Sequence, residues 1–355
     1  MSVEHAPDTG EAVLQDQRGR TVRYVRLSTT DRCNLRCLYC RSSARDCFIP
    51  HENVLRYEEM LELMGVAVSL GVEKLRLTGG EPFARKHFVR FVAMLREAFP
   101  RLDMRITTNA TMARPHVRDL AALGVRAINV SLDSFQPQTF ARITGLDALH
   151  EVRAALDAFM EAGIRVKINA VGLRGVNDGE MAQFLDFARK NPVDVRFIEF
   201  MPMGASTHWT RDNFWPAADI LAEARRHATL TPLVFSAGMQ SDGHVRHSPG
   251  PARLFGIDGG VGHFGLITPM SNHFCANCNR LRITSDGHLR TCLFDDREYA
   301  LRGILRHPRL SAGRKREIVR RVMREANRGK PLGAEILAAR GNAAVALKHM
   351  VSIGG

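Results

Sequence analysis

The sequence predicts an α/β fold: an open (β/α)6 partial TIM barrel, then a C-terminal irregular α+β domain. Three observations lead there. Six short β-type runs (22–27, 74–77, 104–107, 127–131, 166–171 and 195–199) alternate with amphipathic stretches at 57–70, 88–98, 117–123, 149–162 and 180–190. That alternation builds parallel sheets. Gly71, Gly124 and Gly163 each end a helical stretch just before a run, where a C-terminal helix glycine belongs. The polar motifs fall at the carboxyl ends of the runs, where parallel β/α barrels collect their functional groups. Six repeats are too few to close an eightfold barrel.

Taken in order, residues 1–20 are polar and read as a loose N-terminal arm, and 21–204 as the barrel. The first run leads into Cys33-Asn-Leu-Arg-Cys37-Leu-Tyr-Cys40. Thr78-Gly79-Gly80-Glu81-Pro82 follows the second, Thr107-Thr108-Asn109 ends the third, and Ser131-Leu132-Asp133 ends the fourth. Met60, Leu61, Met64 and Val68 keep helical spacing in the first amphipathic stretch. After Met201-Pro-Met-Gly204 the repeat stops. Residues 205–355 read as the second domain, with scattered Gly and Pro and a second cysteine set, Cys275, Cys278 and Cys292.

Composition narrows the function classes. No apolar run in the 355 residues approaches the eighteen or so needed to span a membrane. The N-terminus lacks a secretory pattern. Seven cysteines, six in motif spacings and Cys47 left over as a free thiol, argue against a disulfide framework and for a reducing, cytoplasmic compartment. A net charge of +13 suits an anionic partner. The run at 310–330, with Arg314, Lys315, Arg316, Arg320, Arg321 and Arg324, reads as a solvated helix. It lacks the interleaved aromatics of a nucleic-acid patch.

Three thiols within eight residues can meet at one inorganic centre, and thiolates favour soft metals and iron–sulfur clusters. Three ligands leave a four-iron cluster one open iron, which points to catalysis. A structural zinc site would need a fourth ligand. For the second set, His273 or His288 could supply it, so zinc stays open there on spacing alone. Arg280 and Arg282 alternate along an extended run and can face one side. Paired guanidinia suit phosphate oxygens.

The C-x3-C-x2-C spacing with Tyr39, together with the Gly79-Gly80-Glu81 motif, resembles the radical S-adenosylmethionine (SAM) signature. With the second cysteine set, the chain from about Arg23 to Gly355 is similar to the GTP 3′,8-cyclases of molybdenum-cofactor biosynthesis. The resemblance implies two [4Fe-4S] clusters, held by Cys33, Cys37 and Cys40 and by Cys275, Cys278 and Cys292. It implies SAM near Tyr39, Gly79, Gly80, Glu81, Ser131 and Met201. GTP would meet Arg26, Lys74, Arg76, Thr107, Lys167, Arg196, Arg280 and Arg282. Arg26 and the terminal Gly354 and Gly355 would assist the reaction. An electron donor such as flavodoxin or ferredoxin and a downstream pyranopterin-forming protein are implied as partners. No membrane or nucleic acid is expected, and a homodimer is compatible. Arg41 and Ala110 depart from the family pattern, at positions that usually hold Met and Gly. The rival readings are a radical SAM peptide-modifying maturase with an auxiliary cluster and a zinc-containing nucleic-acid-binding regulator.

Overall fold

In this computed structural model the described residues are 13–40, 48–204, 208–234, 250–340 and 350–353. The strands are β1 (Leu14–Gln15), β2 (Thr21–Val22), β3 (Tyr24–Ser28), β4 (Lys74–Thr78), β5 (Asp103–Thr108), β6 (Ala127–Ser131), β7 (Arg165–Gly172), β8 (Asp194–Glu199), β9 (Leu230–Pro232), β10 (Ala252–Ile257), β11 (His263–Ile267), β12 (Arg280–Ile283), β13 (His288–Arg290) and β14 (Tyr299–Ala300). The helices are α1 (Tyr57–Ser69), α2 (Phe88–Ala98), α3 (Val117–Ala122), α4 (Pro137–Thr144), α5 (Leu149–Glu161), α6 (Met181–Lys190), α7 (Ala217–His227), α8 (Arg302–Leu305), α9 (Ala312–Arg328), α10 (Gly333–Arg340) and α11 (Met350–Ile353).

All six expected runs form adjacent parallel strands, β3 to β8, each followed by helix. The sequence did not reveal how the later strands join them. β12 adds in parallel beside β3 and β11 beside β8, so eight parallel strands run side by side. The full order is β14-β13-β12-β3-β4-β5-β6-β7-β8-β11-β10-β9. The segment after 204 therefore extends the barrel's own sheet at both edges. Glu199 fastens the β8 edge: its buried carboxylate accepts from the amides of Ala217 (2.9 Å), Met270 (2.9 Å) and Ser271 (3.0 Å).

Side chains alternate along every parallel strand, as the twofold strand period requires. Val25 and Leu27, Leu75 and Leu77, Met104 and Ile106, Ile128 and Val130, Val166 and Ile168, and Val195 and Phe197 enter one apolar core. Helix residues such as Met60, Leu63, Phe91, Leu156 and Phe184 belong to the same core. Each aliphatic side chain buried there contributes roughly 1.5–3 kcal/mol relative to exposure. The intervening residues face the concave side, and that side is polar.

Residues 13–20 correct the expectation of a loose arm, of which 1–12 lie outside the described residues. β1 and β2 form an antiparallel pair, Leu14 opposite Val22, with a turn at Gly19, whose φ of +77° favours glycine. Leu14 is buried and belongs to the core. Asp16 and Arg20 are buried as a pair, which a polar composition alone does not disclose.

Candidate active site

One cavity of about 2220 Å³ occupies the concave face, at the mouth of the parallel strands. All six motif cysteines line it, with Arg26, Tyr39, Lys74, Arg76, Gly79, Gly80, Thr107, Ser131, Lys167, Arg196, Met201, Arg280 and Arg282. Of the remaining expected site residues, Gly354 and Gly355 lie outside the described residues, as do Arg41 and Cys47. Glu81 is the exception among those described.

Glu81 is fully buried and absent from the cavity wall. Its carboxylate accepts from the Thr108 hydroxyl (2.7 Å) and from the amides of Asn109 (2.7 Å) and Phe83 (3.1 Å). It braces the loop after β4 against the end of β5 instead of facing a ligand. Burial, only partly offset by those hydrogen bonds, pushes its carboxyl up to about 7. The two glycines also have a local reason. A Cβ on Gly79, whose φ is +142°, would lie 2.3 Å from the Thr30 carbonyl oxygen, and one on Gly80 would lie 2.1 Å from that of Arg32. The Gly80 amide donates to Thr30 O (2.6 Å) and the Glu81 amide to Arg32 O (2.8 Å). The glycines thus let the cysteine loop lie against the loop after β4, while both still border the cavity.

Within the first triad, the Cys40 amide donates to Cys37 O (2.9 Å), a tight turn that draws the two thiols together. Asn109 Nδ2 reaches Cys33 Sγ (3.6 Å). Burial, then the Asp133 carboxylate, pushes the Cys37 thiol well up. The Tyr39 hydroxyl donates to Asp133 (2.6 Å), which also accepts from the Val171 amide (2.8 Å) and so pins the ring between β6 and β7.

The second triad differs in charge. Burial alone would raise the Cys278 thiol, but Lys330 and Arg280 outweigh it and bring it down to about 6. A Cβ on Gly333 would lie 3.2 Å from Cys292 Sγ and 3.4 Å from Cys275 Sγ. The Phe294 ring is closer still, at 2.7 Å, so Gly333 has no room for a side chain where it packs against both sulfurs. Three thiols lining one cavity are a donor set that suits an iron–sulfur cluster.

The wall of the same cavity is cationic. In register, Arg282 stands beside Arg26, Arg26 beside Arg76, and Arg76 beside Arg105. Neighbouring strands lie about 4.8 Å apart, so four guanidinium side chains rise from one row. Arg76 donates to the Tyr24 hydroxyl (2.6 Å) and Thr107 Oγ1 (3.2 Å), Arg105 pairs with Asp103 (2.9 Å), and Arg282 Nη1 reaches Ile353 O (3.5 Å). Among the described residues, Arg26 Nε is buried with no hydrogen-bond partner, and so is Arg196 Nε. Burial, then the charge of Arg282, holds the Arg26 guanidinium well below its usual range. On the other side, Asp194 is shared by Arg196 (2.7 Å), Arg165 (3.1 Å) and His263 (3.0 Å). Burial, then Arg196, leaves Lys167 at about 6.

Sequence reasoning missed Tyr24, Asn169, Lys330 and Gly333, all on the cavity wall. For Tyr24 the signal was present, since it lies two residues before Arg26 and shares its strand face.

Residues 27–188 match the Radical SAM superfamily, and 193–335 match Molybdenum Cofactor Synthesis C. The chain is 41% identical to a GTP 3′,8-cyclase of Syntrophomonas wolfei, over 83% of this chain and 87% of that one. It is 40% identical to a GTP 3′,8-cyclase of Caulobacter vibrioides, over 100% and 97% respectively. In fold it is similar to SuiB of Streptococcus suis, with a TM-score of 0.54 at 15% identity, over 89% of this chain and 68% of that one. Two cysteine triads and a row of arginines on one cavity wall, in a chain this similar from end to end to those relatives, place it in the GTP 3′,8-cyclase family of the radical SAM superfamily.

Proposed function

We propose that this chain is a radical SAM lyase that converts GTP to (8S)-3′,8-cyclo-7,8-dihydro-GTP, an early step toward molybdopterin. The observation that carries the reading is the arginine row on the cavity that both triads line. Adjacent like charges in a sheet destabilise it, and buried cations need partners. A triphosphate supplies that partner.

Cys33, Cys37 and Cys40 hold one four-iron cluster, and Cys275, Cys278 and Cys292 a second. With SAM bound at the first, the cofactors supply the one-electron cleavage that starts chemistry at the ribose C3′. The chain's own residues bind and orient. Arg282, Arg26, Arg76, Arg280 and Lys74 take the phosphate oxygens, helped by Thr107, Lys167 and Arg196. Tyr39, Gly79, Gly80, Ser131 and Met201 border the SAM side, with Tyr39 fixed by Asp133. The tail supports a role for Gly354 and Gly355: Ile353 is fully buried, and its carbonyl lies 3.5 Å from Arg282 Nη1. Glycine is what a narrow cavity admits. A flavodoxin- or ferredoxin-type donor supplies electrons in a cytoplasmic setting, and a pyranopterin-forming protein takes the product.

Anaerobic reconstitution followed by turnover with GTP, SAM and reductant tests the reading. Reconstituted protein should carry about eight irons per chain, and replacement of Cys33, Cys37 and Cys40 by Ala should leave about four. That variant should form no cyclised nucleotide. Stoichiometric zinc with negligible iron would overturn the assignment.

A further inference from the structure

The proposed chemistry leaves the N-terminal hairpin unused. Its turn carries Asp16 and Arg20, both buried. Asp16 Oδ1 accepts from the amides of Arg18 and Arg20, each at 2.9 Å, and Oδ2 accepts from Arg20 Nε at 2.5 Å. The carboxylate thereby locks the guanidinium in one orientation. Among the described residues, the guanidinium's other hydrogen bonds all go to backbone carbonyls around the second triad. Nη1 donates to Cys275 O (3.0 Å) and Pro331 O (3.3 Å), and Nη2 to Lys330 O (2.6 Å) and Pro331 O (3.3 Å).

These carbonyls belong to two chain segments more than fifty residues apart. One contains the thiol of Cys275. The other runs from Lys330 to Gly333, whose backbone packs so closely against Cys275, Cys292 and the Phe294 ring that a Cβ there would lie 3.4, 3.2 and 2.7 Å from them. The Lys330 ammonium donates in turn to Arg280 O. A planar guanidinium with its donors in a fixed fork can hold both segments at once, which a lysine cannot.

We infer that Arg20, braced by Asp16, is a positioning residue for the second cysteine triad, joining the Cys275 loop to the 330–333 segment so that Gly333 stays packed against Cys275 and Cys292. The inference rests on the reading of that triad as a cluster site. Arg20 touches no thiol and need not touch substrate. It acts through the backbone, and its loss should be felt at one cluster and not the other.

The test compares the parent with Arg20→Met and Asp16→Asn, reconstituted anaerobically. Asp16→Asn keeps the volume but turns an amide N–H toward Arg20 Nε, so it disturbs the brace even if Arg20→Met folds poorly. In both variants the first cluster should keep its electron paramagnetic resonance signature and its SAM cleavage to 5′-deoxyadenosine. The second cluster should lose iron or shift its signature, and the signature should no longer change on adding GTP. Parent-like signatures and GTP response at both clusters, with only a lower melting temperature, would overturn the inference and leave Arg20 a fold residue. A second measurement separates this from failure of the cluster reading. In chelated, iron-free protein, alkylation of Cys275 and Cys292, followed by peptide mass spectrometry, should speed up several-fold in the variants while Cys33 stays unchanged. If the parent itself takes up only one cluster, the cluster reading fails, and alkylation alone decides on Arg20. Unchanged alkylation there also overturns the inference.

Discussion

Replacing Arg282 by Met should stabilise the substrate-free protein and weaken GTP binding at the same time. Arg282 is 6% exposed and stands in register beside Arg26. Burial, then the charge of Arg280, pushes its guanidinium down to about 10. A fall of that size from the usual arginine range amounts to about 3 kcal/mol against carrying the charge at neutral pH. Met keeps most of the apolar stem and gives up the hydrogen bonds of Arg282, the long contact to Ile353 O among them, each worth about 1 kcal/mol. The net gain should be about 1–2 kcal/mol, in line with what replacing buried ions by apolar residues yields. Binding moves the other way. Losing a charge-assisted bond to phosphate costs about 1.5–3 kcal/mol, or about one to two decades in affinity. Urea unfolding with and without GTP reads the first quantity, and calorimetric titration reads the second. The parent should gain stability with GTP as binding linkage requires, and the variant far less at equal concentration. A variant that is less stable without GTP, or that binds GTP as tightly as the parent, would refute the view that substrate relieves this row of charge.

Lys167 gives a pH signature. Its ammonium titrates near 6 in the folded chain and about 10.4 when unfolded. Between those values the unfolded chain holds the extra proton, so stability should rise with pH by up to about 1.4 kcal/mol per unit. Lys167→Met should flatten that slope in unfolding measured from pH 7 to 9. Ala110 has φ +64°. The left-handed region costs a residue with a Cβ about 1–2 kcal/mol, and glycine's extra unfolded freedom takes back about 0.4–1 kcal/mol. Ala110→Gly should therefore gain up to about 1 kcal/mol in chemical denaturation, and a loss would mean the Ala110 methyl packs usefully. Deleting Gly354 and Gly355 should leave melting temperature and iron content near the parent's. If the tail positions substrate, cyclised product should fall about a hundredfold relative to 5′-deoxyadenosine, and a parent-like yield would remove the tail from the site.

The sequence by itself determined the alternation of strands and helices, the cysteine spacings and the placement of polar motifs at strand ends. These are local properties. A period of two or 3.6, a glycine before a strand and three thiols within eight residues are all readable without knowing what packs on what. Of the site, Arg26, Arg76, Arg280 and Arg282 were legible singly, from motif and strand face. Their alignment was not. Arg280 and Arg282 lie some 250 residues from Arg26, and only the parallel pairing of β12 with β3 sets Arg282 beside Arg26. Register is a property of two strands together, fixed by the core residues Leu281, Ile283, Val25 and Leu27 that both must bury. The same holds for Glu81, which motif position alone assigns to a ligand and packing assigns to Thr108 and Asn109. It holds too for Arg20, whose polar neighbourhood suggests a loose arm until the 330–331 carbonyls surround it. Sequence specifies which groups are available. Which charge stands beside which depends on long-range pairing, because a buried ion is tolerated only where the tertiary structure brings it a partner.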